Sequence, residues 1–401
     1  MNILLICNKS PYPSKEGGPI AMNTIVEGLV DSGHKTKVLA VNSFKYSVDI
    51  NSIPDDYKEK TQIEGIFLDL RIKPLDAFLN LFTNKSYHVQ RFISKEFEDK
   101  IIEILSKNKY DIIQLETLYI APYIETIRKH SNAKVILRAH NIEHLIWDRI
   151  TQTTKNSIKK FYLSHLSKTL KKYELEALDK FDGIAAITKT DAEFFKKTRT
   201  KTPIVDIPFG INLNKFQLSD AEYEFPSLFH IGSMNWMPNV EGIDWFLKKV
   251  WDLVNEKIPD LKFYLAGREM PDWLINNKKA NVEVVGEVEN AQDFINSKAI
   301  MIVPLFSGSG IRIKIIEGMA LAKTIISTKL GAEGIHYEDN KNILIANSPE
   351  EYVDQIEKCI KSKELCETIG VNARKLIEEE YDNKKIIGKL VDFYEKIISA
   401  S

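Results

Sequence analysis

Gly308, Gly310, Arg312, Lys314 and Glu317 share a single ten-residue stretch, and their types and spacing suit the binding of a phosphorylated ligand. Glycine allows a backbone to approach a ligand closely, in conformations that other residues resist. If a helix opens just after such a loop, its unpaired N–H groups and the positive end of its dipole both favour an anion. Arg312 and Lys314 add two cationic heads. Glu317 follows about a turn and a half later, and an ionised carboxylate, which only accepts hydrogen bonds, suits the paired hydroxyls of a ribose.

The flanking sequence supplies the elements this chemistry requires. Ala299-Ile300-Met301-Ile302-Val303 is an apolar strand running into the loop Pro304–Gly310. Ile311, Ile315, Met319 and Ala322 then recur at helical spacing. The same alternation precedes it. Leu228–Gly232, Leu261–Gly267 and Val282–Gly286 read as strands that close on glycine, and Thr324–Thr328 follows as another. Three helical stretches, Pro349–Ser362, Lys363–Glu380 and Lys384–Ile398, finish the chain, with Tyr381-Asp382-Asn383 interrupting the last two.

The first half has the same rhythm. Ile3–Cys7 is a short buried strand, Asn8–Gly18 a loop, and Pro19–Ser32 a helix stopped by Gly33. Lys37–Val41, Tyr110–Leu115, Lys134–Arg138 and Asp182–Ile187 are further strands. Repeated βαβ units build a parallel, doubly wound sheet. Ligands of such sheets sit beyond the carboxyl ends of the strands, which is where Gly17, Gly18, Glu116 and His140 fall. Pro203–Asn212 is punctuated by proline and glycine and marks a domain junction, expected at 207/208.

Bulk properties exclude several classes. The 401 residues exceed one ordinary core, so two domains are expected. A net charge of -1 argues against a nucleic-acid partner recognised through overall field. No apolar run approaches a membrane span, and Met1–Cys7 reads as a strand rather than a signal peptide. Cys7, Cys359 and Cys366 give neither a disulfide framework nor metal spacing, so a cytoplasmic location is expected.

Two features compete with this reading. His140-Asn141-Ile142-Glu143-His144 spells the order of an inverted zinc peptidase motif. Zinc would need both histidines on one face of one helix, whereas His140 ends a strand, so no metal site is assigned. Lys155–Leu178 reads as a basic amphipathic helix, which can lie on the inner face of an anionic membrane as a peripheral contact. Glu174 and Glu176 dilute the positive stripe and favour ordinary packing.

Taken in order, the segments resemble the family 4 retaining glycosyltransferases. The likeness runs through Gly17-Gly18, Asp31–His34, His140, Ile187–Asp191, Pro208–Asn212, Phe229–Gly232, Leu265–Gly267 and Glu317–Ala320. Glu317 matches the second of the family's signature glutamates, the one that binds ribose; the first falls on Ser309. The basic pair usually found after the first strand of the second domain is absent from Gly232–Trp236. The loop Gly308–Lys314 looks like the variant carried by many relatives, so Arg312 and Lys314 are expected to take over diphosphate binding.

The resemblance implies an α/β protein of the GT-B fold: two facing Rossmann-like domains, a cleft between them, and a C-terminal helix that crosses back to the first domain. Residues 1–207 with 384–401 would form the acceptor-side domain, and 208–383 the nucleotide-sugar domain. A sugar would pass with retention from a nucleotide-diphosphate donor to the hydroxyl of a glycan or lipid-linked acceptor, in cell-surface polysaccharide or glycolipid synthesis. Gly17, Gly232, Gly286, Gly308, Ser309, Gly310, Arg312, Lys314 and Glu317 would hold the donor. His140, Gly18, Arg312 and Lys314 would border the reaction, and Glu116 the acceptor. No cofactor or metal is expected, since the chain lacks the Asp-x-Asp spacing typical of metal-dependent transferases. A sugar-nucleotide epimerase and a non-catalytic, glycan-binding scaffold are the alternatives.

Overall fold

A computed structural model describes residues 1–14, 17–198, 200–218, 221–308 and 310–400. The chain divides into two compact units, Met1–Gly210 with Asn383–Ser401, and Ile211–Asp382.

In the first unit, seven strands pair in parallel: β1 (Asn2–Cys7), β2 (Lys35–Asn42), β3 (Glu64–Phe67), β4 (Ile112–Glu116), β5 (Lys134–Ala139), β6 (Gly183–Ala186) and β7 (Ile204–Asp206). Their order is β3-β2-β1-β4-β5-β6-β7. The chain winds outward from β1 in one direction and then, from β4, in the other. Such a reversal leaves a crevice at the carboxyl ends of the two central strands. Cys7 and Glu116 are register partners at that point.

Both faces of this sheet are covered. One carries Leu4, Ile6, Ile113, Leu115 and Leu137 against helices including Lys95–Lys107 and Ser157–Ala177. The other carries Ile3, Leu5 and Ile112 against helix Gly17–Asp31 and the last helix, Asn383–Ser399. That last helix buries Ile386, Ile387, Leu390, Phe393, Tyr394 and Ile397, a stripe at helical spacing. Each such side chain contributes roughly 1.5–3 kcal/mol on burial, so the helix is a principal part of the first unit's core. Gly28 makes room for it, since a Cβ there would run into Ile387 and would lie 2.7 Å from Asn383 Nδ2.

The second unit has six parallel strands: β8 (Glu224–Ile231), β9 (Lys262–Ala266), β10 (Val282–Gly286), β11 (Lys298–Val303), β12 (Thr324–Ser327) and β13 (Leu344–Ile345). They lie in the order β10-β9-β8-β11-β12-β13, with the reversal between β8 and β11. Each unit is thus built on a parallel, doubly wound, Rossmann-like sheet. Three short strands, β3, β7 and β13, add to the set read from the sequence. Helix Gly17–Asp31 also begins two residues before its expected start and takes in both glycines.

Candidate active site

The reversal in the second sheet places two loops side by side, Gly232–Trp236 after β8 and Pro304–Arg312 after β11. Gly308 (φ +94°) and Gly310 (φ +81°) take the left-handed conformation that glycine permits. A Cβ on Gly308 would lie 2.9 Å from the Trp236 ring. Helix Ile313–Ala320 then starts at the Arg312 cap, which makes no side-chain capping bond. The buried Arg312 guanidinium turns back to the Gly310 carbonyl and lies 5.6 Å from the Trp236 ring centroid. Ser309 lies outside the described residues.

Lys314 points the other way, under β8. Its ammonium donates to Asn239 Oδ1 at 2.8 Å and lies 3.4 Å from His230 Nε2. Asn239, in helix Met237–Phe246, is itself fixed by donating to the Ser233 carbonyl at 2.7 Å. Gly232 is the floor beneath this group. A Cβ there would collide with Lys314 Nζ and come within 2.8 Å of Asn239 Nδ2. Burial pulls the Lys314 pKa down to about 7; Glu317 opposes that shift and Arg312 adds to it. Burial pushes Glu317 up to about 7, against the pull of Lys314. His230 is held well below the usual histidine range by burial and by the Lys314 charge.

Glu317 also lines a recess of about 840 Å³ with Phe216, Val288, Asn290 and Ile295. Gly286 (φ +78°) ends β10 two residues before that lining, and its carbonyl accepts from Gly267 N–H at 2.7 Å. The second unit thus brings Gly232, Gly308, Gly310, Arg312 and Lys314 together around one loop pair, with Glu317 at the adjoining recess. His230, Asn239 and Trp236 complete the arrangement, and the sequence reading misses all three. A histidine inside the apolar run Leu228–Ile231 was the available signal.

The first unit holds a separate cluster. His140 follows β5, and its Nε2 donates to Glu116 Oε2 at 2.6 Å. The other Glu116 oxygen accepts from Gln114 Nε2 at 2.6 Å, and Gln114 Oε1 accepts from the Tyr394 hydroxyl of the last helix. Arg138 Nε lies 3.8 Å from Glu116, and both side chains are completely buried. Burial lowers the Arg138 pKa while Glu116 holds it up. This corrects the acceptor assignment of Glu116: a carboxylate with no exposed surface and both oxygens engaged orients His140 and balances Arg138 instead.

Gly17 and Gly18 form the first turn of helix Gly17–Asp31. A Cβ on Gly18 would lie 2.9 Å from Lys9 Cε, so Lys9 covers that turn, its ammonium 4.3 Å from the Tyr46 ring centroid. The zinc-like motif disperses. Glu143 accepts from the Tyr119 hydroxyl at 2.7 Å, and His144 Nδ1 bonds Glu174 at 2.5 Å. Among the described residues, no group of three His, Cys, Asp or Glu is arranged to hold a metal ion. Nor, among them, is any helix long and apolar enough to cross a membrane.

Residues 225–362, most of the second unit, match the family model described as glycosyl transferases group 1. The likeness to the group 1 glycosyltransferases is thus carried by the second unit. An uncharacterized 44.6 kDa protein in the cps region of Klebsiella pneumoniae is 22% identical over 399 residues, 97% of this chain and 98% of that protein. The capsular polysaccharide biosynthesis glycosyltransferase CapM of Staphylococcus aureus is 24% identical over 207 residues, 48% of this chain and 54% of that protein. Among solved structures, Anabaena Alr3699/HepE in complex with UDP superposes with a TM-score of 0.68 at 13% identity, covering 99% of this chain and all of that chain.

Proposed function

We propose that the chain is a glycosyltransferase that moves a sugar, with retention, from a uridine-diphosphate donor to the hydroxyl of a glycan or lipid-linked acceptor in capsule-type polysaccharide assembly. The observation that carries the reading is the placement of Lys314, beside the glycine-opened helix start and above Gly232. In the reaction, charge builds on the departing diphosphate. Fixed N–H dipoles and cations directed at that charge lower such a barrier more than any other single effect usually does. Arg312, Lys314 and the backbone N–H groups of Ile313 and Lys314 supply them, and Glu317 takes the ribose hydroxyls with the base in the adjoining recess.

Two cations and a helix end at the diphosphate do the work that a bound divalent metal would otherwise do, so turnover is expected to be independent of metal. His140 and Gly18 are the first-unit residues assigned to the reacting end. UDP rather than another nucleotide is supported by the UDP complex of the similar HepE structure, and the acceptor class by the capsular role of CapM. The test is a thermal-shift screen of the purified chain over nucleoside diphosphates and their sugar conjugates, because a ligand that binds only the native state raises the melting point. UDP and one UDP-sugar should shift the transition; a uniform null across the panel overturns the reading. Binding without transfer or donor hydrolysis would indicate a scaffold.

A further inference from the structure

One part of the first unit turns its apolar side outward. In helix Pro74–Asn80 and the turn after it, Leu75, Phe78, Leu79 and Phe82 recur at i, i+3, i+4 and i+7, and are 68%, 57%, 54% and 77% exposed. Ala77 and Asn80, on the opposite side, are the buried positions. This inverts the usual amphipathic pattern, in which the apolar stripe faces the core. The Phe78 and Phe82 rings stand edge to face, 5.5 Å apart.

Helix Ser157–Ala177 extends the same surface. Its first turns expose Ile158 (83%) and Phe161 (70%). One stripe carries Ile158, Phe161 and His165, and His165 Nε2 donates to the Asn80 carbonyl at 3.2 Å. Ala77, Tyr87, Leu163 and Leu166 form a small core beneath, so the two helices are fixed to each other. Six large apolar side chains therefore project from one braced platform. Their combined area is on the order of several hundred Å², at the upper end of what monomeric proteins expose.

The charge around this platform identifies what it meets. Residues 69–85 and 146–161 contain seven basic and three acidic residues, a local excess of four in a chain whose net charge is -1. Lys73, Lys85, Lys155, Lys159 and Lys160 are all exposed. A second copy docked face to face would bring these lysines against their equivalents, and protein interfaces are depleted in lysine. Aromatic and aliphatic side chains interleaved with lysine are the composition of a surface that lies in the headgroup region of an anionic bilayer.

We propose that the outward face of Pro74–Asn80, with the start of Ser157–Ala177, docks on an anionic lipid bilayer. Phenylalanine and leucine side chains enter the acyl boundary, and the lysines contact phosphate headgroups. The inference does not rest on the transferase reading. From Leu163 onward the basic helix noted in the sequence packs within the first unit, and only its first turns take part in the contact.

The test is co-sedimentation of the full chain with vesicles of equal phosphatidylglycerol and phosphatidylcholine, and with phosphatidylcholine alone. Wild-type protein should pellet with the anionic vesicles at low salt and remain in solution with the neutral ones. Phe78→Ser with Phe82→Ser, and separately Lys159→Glu with Lys160→Glu, should each cut the bound fraction at least tenfold. The side chains are exposed, so melting temperatures should stay at the wild-type value. Absence of binding to anionic vesicles overturns the proposal, as does equal binding by both double variants. A concentration-dependent dimer abolished by the phenylalanine pair, with no vesicle binding, assigns the face to a second copy instead.

Discussion

His230 presents a lone pair, not a proton, to Lys314. The Ile302 carbonyl, 2.8 Å from His230 Nδ1, can only accept, so Nδ1 carries the hydrogen and Nε2 faces the ammonium at 3.4 Å as an acceptor. Two acceptors, His230 and Asn239, thus aim a lysine whose charge is poorly hydrated. Such a lysine gains from a neighbouring polyanion more than one already paired with a carboxylate.

Lys314→Ala should lower kcat by about 10²–10³-fold, the effect of removing one preorganised donor from a developing negative charge. Asn239→Ala should fall short of that loss, since it misdirects the ammonium without removing it. Steady-state kinetics with a UDP-sugar separate the two, and wild-type turnover in Lys314→Ala would remove the residue from the mechanism.

The affinity for UDP should fall as pH rises above about 7. The Lys314 pKa is about 7 in the ligand-free protein. A diphosphate beside it favours the protonated form and raises that value, so binding takes up a proton, and is opposed once protons become scarce. Calorimetry between pH 7 and 9 in buffers of different ionisation enthalpy should register the uptake. Lys314→Gln should flatten the profile.

Gly232→Ala should abolish detectable UDP binding while the fold persists. The added methyl would occupy the position of Lys314 Nζ, and the flexible lysine would move away from Asn239. Circular dichroism should stay at the wild-type value while the UDP-induced thermal shift disappears.

Glu116→Ala should destabilise the first unit by about 3–5 kcal/mol, because it leaves the buried Arg138 charge uncompensated. Denaturant titration reads this directly. His140→Ala removes no buried charge, so it should lower turnover while leaving the denaturation midpoint near wild type.

Turnover should persist in EDTA, with Arg312 and Lys314 as the resident cations at the diphosphate. Chelator-abolished activity that Mg²⁺ restores would mean that the leaving group is stabilised differently.

The two-sheet architecture was legible in the sequence because its central strands are short apolar runs that alternate with helical stretches. β3 and β13 were not, for they are edge strands of four and two residues with incomplete burial and little periodicity. The loop Gly308–Lys314 announced its chemistry through local spacing. Its supports did not: His230 and Asn239 lie 84 and 75 positions from Lys314, and only the pairing of β8 with β11 brings them near. Glu116 illustrates the opposite error. A carboxylate at a strand end looks available until the Arg138 guanidinium is found beside it.

Because Asn383–Ser399 supplies part of the hydrophobic interior of residues 1–210, the amino-terminal portion must wait until that helix has been translated. While the intervening 172 residues of the second unit are being made, a sheet face flanked by Met22, Ile25 and Leu29 is left uncovered. During that interval the nascent chain is a natural client for a holding chaperone. Moving residues 383–399 to the front of the gene by circular permutation should shorten that dependence.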